Sequence, residues 1–184
     1  LNRMMDIASR SLKIKRLVIT KLLEDCLYPY TRRYLGTFDN HFSTIGLIGM
    51  NEVGLNANWL RADMSDKRTQ EFTKEVLNHM RNRLSDYQEQ YGDLYNLEAT
   101  PAESTAYRLA KHDRKRWPAI KTAGKPGDTP YYTNSTHLPV DYTTHIFDAL
   151  DIQDDLQTLY TSGTVFTAFL GEKVPDWKAA ENLV

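Results

Sequence analysis

Hydrophobic positions along the chain recur at two different spacings. Up to about residue 27 the spacing is helical: Ile14, Val18, Leu22 and Cys26 form an i, i+4 ladder with Ile7 and Leu17 beside it. Arg10, Lys13, Lys15, Arg16 and Lys21 supply the wet face. Asp6, Glu24 and Asp25 interrupt that charge, which favours a solvated outer face over a membrane or acidic-partner face. Cys26 continues the ladder and is expected to be a buried, inert thiol. Pro29 ends this helix, and Tyr28, Tyr30 and Tyr34 decorate a turn closing at Gly36. Phe42 to Met50 is apolar, β-branched and bounded by glycine, and predicts a strand buried on both faces that ends in Asn51-Glu52. A helix over 66–91 follows, with Ser65-Asp66 as its cap and Gly92 as its stop. Phe72, Val76, Met80, Leu84, Tyr87 and Tyr91 make its core stripe.

The stretch Asn96 to Thr105 organises the second half. A short extended run turns abruptly into a helix predicted over 101–116. Thr100 can cap that helix, Pro101 suits its first position, and Glu103 lies where a capping box places it. A strand end feeding a helix start presents unpaired N–H groups and the positive end of a macrodipole, where anions bind. Two readings stand side by side: a well-capped helix without a ligand, and a phosphate site using Thr100, Ala102, Glu103, Ser104 and Thr105. The Glu103 carboxylate competes for the same amides. Lys111, Arg114, Lys115 and Arg116 make the far end of the helix basic, as its dipole favours.

Trp117-Pro118 breaks the helix and 121–129 reads as a loop. Pro130 and Pro139 bracket a patch in which Asn134, Ser135 and Thr136 can bind a sugar or phosphate, or brace their own backbone. Helical segments run to about 160, Thr164 to Leu170 predicts another buried strand, and Pro175 starts a last helix. The alternation predicts an α/β architecture with mainly parallel pairing.

Composition narrows the classes. The chain has 184 residues, 41% hydrophobic and 26% charged, with a net charge of −1. One domain with a real core is expected, with no global basic field for nucleic acid. The single cysteine excludes an internal disulfide or a multi-cysteine zinc site. No apolar run approaches the roughly 20 residues of a membrane span. Without a signal peptide pattern, a cytoplasmic setting is expected. Both termini read as helix interiors, so the chain is expected to be a piece of a longer protein.

The five histidines, His41, His79, His112, His137 and His145, show no zinc-hydrolase spacing. There is no nucleophile elbow, Walker motif or dinucleotide fingerprint. Asp148, Asp151, Asp154 and Asp155 fall on a predicted helix without the EF-hand glycine, and read as a wet face. No metal site is predicted. No catalytic residue is expected in this chain, Glu52 at a strand end being the one candidate weighed against that.

Four stretches together resemble one family: Phe42 to Glu52; Asn96 to Lys111; Tyr131 to Val140; and Gly163 to Glu172. They resemble the catalytic subunit of the anaerobic, class III, glycyl-radical ribonucleoside-triphosphate reductase, over essentially the whole chain. The resemblance implies part of a ten-stranded α/β barrel, with residues 1–184 as a middle portion truncated at both ends. It implies reduction of ribonucleoside triphosphates by glycyl and thiyl radicals, often with formate as reductant. It also implies a structural zinc site, a homodimer and a radical-SAM activase as partner. The thiyl cysteine, the zinc cysteines and the radical glycine would all lie outside this chain, and Cys26 matches none of them. What carries over is a substrate-phosphate wall at Thr100, Pro101, Ala102, Glu103, Ser104 and Thr105. Asn51, Glu52, Asn134, Ser135 and Thr136 are then candidates to face the nucleotide. The alternative is a stand-alone nucleotide- or phosphate-binding α/β module without radical chemistry.

Overall fold

Helix α1 spans Asn2–Glu24 and buries Met5, Ser9 and Leu23, with Ala8 and Leu12 packed beside them. This is not the face expected from the apolar ladder. Ile14 and Val18 are 58% and 52% exposed. The reason lies in polar anchors on the opposite side. Lys13 Nζ reaches Asp93 at 2.9 Å. Arg16 donates to the carbonyl oxygens of Phe38 and His41 and to Ser43 Oγ. Asp6 accepts from Arg83 and from the Tyr87 hydroxyl. These bonds fix the rotation of α1. The helix also stops before Cys26, whose backbone is left-handed with φ of 64°. The thiol is exposed and accepts a bond from Arg32 Nη1 at 2.7 Å, so the expectation of burial is overturned. Pro29 begins a short helix, α2, Pro29–Tyr34, because its ring suits a first helical position.

The computed structural model describes residues 1–125, 127–143, 145–167 and 176–182. Its sheet consists of β1, Ser43–Leu47, and β2, Tyr95–Ala99, paired in parallel from Ser43↔Tyr95 to Leu47↔Ala99. Helices α3, Met50–Asn56, and α4, Lys67–Tyr91, make the crossover. The Asp66 carboxylate caps α4 by accepting from Arg68 N, and Gly92 ends it at φ of 70°. Leu77, Met80, Leu84 and Tyr87 of α4 meet Ile45, Tyr95, Leu97 and Ala99 in one core. On the other face of the sheet Thr44 and Gly46 are exposed. β1 is therefore covered on one side only, not on both.

Helix α5 spans Glu103–Arg116, α6 Ile146–Gln157 and α7 Trp177–Glu181. On α6 the side chains of Asp148, Asp151, Asp154 and Asp155 are all exposed, as a wet face requires. Thr164 to Thr167 form no strand; the rest of the segment expected to be one, and Pro175, lie outside the described residues. The next neighbour of β2 is instead Thr161–Gly163. Leu97 O accepts from Thr161 N and Ser162 N at 3.1 and 2.9 Å, and Leu97 N donates to Thr161 Oγ1 at 2.8 Å. The architecture is mixed α/β with a small parallel sheet. Among the described residues no helix is long and apolar enough to cross a membrane.

Candidate phosphate-binding corner

Because β1 and β2 run in parallel, both carboxyl ends open on the same side, and three loops converge there. The first is the turn from β2 into α5. Thr100 does not cap α5. Its carbonyl accepts from Ala102 N at 3.1 Å and from Ser135 Oγ at 3.3 Å, and its hydroxyl lies back along the strand at 3.5 Å from Glu98 O. Those bonds keep Thr100 with the strand, so α5 starts later, at Glu103, with Ala102 as its N-cap. Ala102 has no side-chain acceptor, and the capping box is not formed. Ala106 N is the first amide of α5 to find a helical acceptor, Ala102 O at 2.7 Å. The N–H groups of Glu103, Ser104 and Thr105 have no acceptor among the described residues. All three side chains are exposed, as is Pro101.

Residues 48–49, running straight into the first turn of α3, form the second loop. Gly49, at φ of 78°, turns the chain from β1 into α3. Asn51 and Glu52 then point inward. Glu52 is 2% exposed, and both its oxygens are engaged. Its Oε1 accepts from Thr133 Oγ1 at 2.7 Å and Asn51 Nδ2 at 3.0 Å, and its Oε2 from Thr133 N at 2.9 Å. Asn51 Oδ1 accepts from Met64 N at 3.0 Å. Neither residue faces an open site, because the strand end runs directly into a helix whose first turn is packed under the third loop.

That third loop is 131–137. It lies across the other two: Gly49 N donates to Thr133 O at 2.8 Å, Met50 N to Ser135 O at 3.1 Å, and Ile48 bridges Asn134. Tyr132 donates its hydroxyl to Asp113 of α5 at 2.7 Å. Desolvation, with that carboxylate, drives the Tyr132 pKa far above the usual phenol value. Ser135 and Thr136 are 1% exposed, with Thr136 Oγ1 at 3.3 Å from Tyr160 Oη, so both brace the loop. Asn134 alone of the three is half-buried.

Two buried polar groups without partners among the described residues do not stand out from the sequence pattern. Asn96, opposite Thr44 on the sheet face away from α4, is 7% exposed, and its Oδ1 has no partner. His137 Nε2 is likewise buried and unpartnered. Desolvation holds the His137 pKa below the usual histidine value, opposed by a backbone bond to Val165. The signal available for Asn96 was its position: a polar side chain two residues before Glu98 on a strand that otherwise reads as core.

A parallel strand pair joined through helices, with loops at its carboxyl ends and a bare helix amino terminus among them, defines an α/β protein of the kind that holds ligands at strand termini. The chain belongs to the anaerobic ribonucleoside-triphosphate reductase family, whose model matches residues 1–184. It is similar to the anaerobic ribonucleoside-triphosphate reductase of Haemophilus influenzae, 27% identical over 123 residues, which is 66% of this chain and 17% of that protein. It also resembles two crystal structures of the Thermotoga maritima anaerobic ribonucleotide reductase. The one with dATP bound in the specificity site has a TM-score of 0.71 at 19% identity, covering 90% of this chain and 28% of the other. The one with MES in the active site has a TM-score of 0.73 at 20% identity, covering 98% and 30%. The chain thus spans less than a third of each relative.

Proposed function

We propose that this chain is the middle portion of the catalytic barrel of an anaerobic ribonucleoside-triphosphate reductase, and that its β2–α5 corner receives the substrate's phosphates. The observation that carries this is the first turn of α5. Among the described residues three amides, of Glu103, Ser104 and Thr105, stand without acceptors beside the exposed Ser104 and Thr105 side chains, at the carboxyl end of a parallel strand. Ala102 is a small residue where a phosphate must approach backbone. Family membership supplies the substrate class, a ribonucleoside triphosphate.

The two-stranded sheet is part of the ten-stranded barrel, and its neighbouring strands come from the remainder of the reductase polypeptide. In the whole enzyme a radical-SAM partner would install a glycyl radical, and that radical would supply the thiyl radical used for hydrogen abstraction, on residues outside this chain. The residues present here do not fit the radical or the zinc site. The lone cysteine is exposed beside Arg32, on the loop between α1 and α2. Among the described residues no cluster of His, Cys, Asp or Glu side chains suits a metal ion. What this chain does is bind and orient. Its helix dipole and amides hold the triphosphate, and Glu103 tempers that field, so the corner favours an anion with a counter-ion over a bare one.

The test is the double variant Ser104→Ala with Thr105→Ala in the full-length reductase. Equilibrium binding of a ribonucleoside triphosphate should weaken by about 1–3 kcal/mol, the worth of hydrogen bonds to a charged group. Unchanged affinity removes the assignment.

A further inference from the structure

The geometry points to Glu52 as a positioning residue for the phosphate corner, acting through the 131–136 loop; this rests on the phosphate reading above. Glu52 touches no open site, yet a buried carboxylate is expensive unless fully hydrogen-bonded. Its three donors are all found, and two of them belong to one residue, Thr133. A carboxylate only accepts, so it matches the Thr133 amide and hydroxyl together, which no neutral side chain of the same shape can do.

From Thr133 the constraint runs on. Thr133 O accepts from Gly49 N at 2.8 Å, and two residues later Ser135 O accepts from Met50 N at 3.1 Å. The Ser135 hydroxyl then donates to Thr100 O at 3.3 Å. That last bond holds Thr100 on the strand and so sets where α5 begins. The position of the bare amides thus depends on a carboxylate on another helix. Tyr132, next to Thr133, ties the same loop to the body of α5 through Asp113.

The experiment uses the full-length reductase and compares KM with kcat. Glu52→Gln presents an amide donor to at least one of the Thr133 donors. KM for the ribonucleoside triphosphate should rise roughly tenfold while kcat at saturation stays within about twofold, as for loss of uniform binding. Thr133→Val should do the same, and Thr133→Ser should restore the low KM; these variants decide the matter if Glu52→Gln fails to fold. Asp66→Ala, which removes a cap far from the loop, serves as a destabilised control and should leave KM unchanged. If Glu52→Gln and Thr133→Val leave KM unchanged while the Ser104/Thr105 double variant raises it, the inference falls and the phosphate corner stands. If kcat falls with KM unchanged, Glu52 acts on the reaction itself and the positioning role is overturned. If the double variant has no effect, the phosphate reading fails and takes this inference with it.

Discussion

Gly46 offers a direct test of how tightly the corner is built. It pairs with Glu98 in the parallel register, and Thr100 lies diagonally across it. A Cβ at Gly46 would sit 1.6 Å from Thr100 Oγ1, 2.8 Å from Thr100 Cβ and 3.1 Å from Glu98 O. Ordinary non-bonded contact is about 3.5–4 Å. No rotation of the threonine hydroxyl relieves the contact, because Thr100 Cβ is itself too close. Gly46→Ala must therefore push Thr100 off the strand end, breaking the Ser135 Oγ bond to its carbonyl. Overpacking of this kind costs about 1–3 kcal/mol, and a hydrogen bond lost with it adds about 1 kcal/mol. In the full-length reductase, thermal unfolding should occur at lower temperature and KM for the ribonucleoside triphosphate should rise together. Adding Thr100→Gly removes both clashing atoms and should recover most of the stability but not the KM, since the carbonyl is then held by a freer backbone. Adding Thr100→Ala, which keeps Cβ, should recover less. A Gly46→Ala enzyme with unchanged stability and KM would refute the reasoning.

Other expectations follow from single contacts. Cys26→Ser should retain turnover, and the native thiol should react with a maleimide as fast as an exposed cysteine does, because it is not in the core; slow labelling that speeds up on unfolding would contradict this. Asp66→Ala should cost about 1 kcal/mol, the usual worth of an N-cap, read from chemical denaturation. Burial pushes the Tyr95 and Tyr160 hydroxyls up to about 12. Between pH 10 and that value the unfolded chain binds fewer protons than the folded one, so stability present below pH 10 is lost as pH rises through this window. Tyrosinate absorbance should show a late-titrating set that includes Tyr95, Tyr132 and Tyr160, one of them absent in Tyr160→Phe.

Much of the fold was legible because α4 is long and strongly periodic, with an aspartate cap at one end and glycine at the other. The parallel pairing followed from element order. Helix rotation and helix start were less legible. The apolar ladder of α1 predicts one buried side, yet Lys13, Arg16 and Asp6 decide which side meets the body, and their partners are Asp93, two loop carbonyls and the Arg83 and Tyr87 donors of α4. Local sequence cannot name partners that far away. At the corner, Thr100 fits a capping pattern, but a tertiary bond from Ser135 competes for it and wins. The proposed anion site rests on a later start of α5 than the capping pattern predicts. A formed box would have spent amides of the first turn that now stand open. Glu52 stands out in the sequence as a polar residue at a strand end, but its burial depends on Thr133, 81 residues away.

The exposed ladder on α1 and the half-covered sheet share one physical cause. Period and composition report which surfaces are apolar, not what covers them. Ile14, Leu17 and Val18 are 58%, 60% and 52% exposed, and Thr44 and Gly46 of β1 lie open on the face away from α4. A two-stranded sheet is marginal by itself, and on the β2 side of that same face Asn96 buries an acceptor with no donor among the described residues. Each feature is costly in isolation and would be ordinary inside the proposed barrel, where adjoining strands would close the sheet and bring donors to its inner face. The full-length reductase therefore makes a sharp comparison with the isolated segment. Amide exchange in α4 and β2 should be slow in both, since they share one core. In β1 and the first turn of α5 it should be slow only in the full enzyme, and in the latter only with nucleotide bound. Equal protection of β1 in both would show that the sheet needs no further cover, and the barrel placement would lose its physical support.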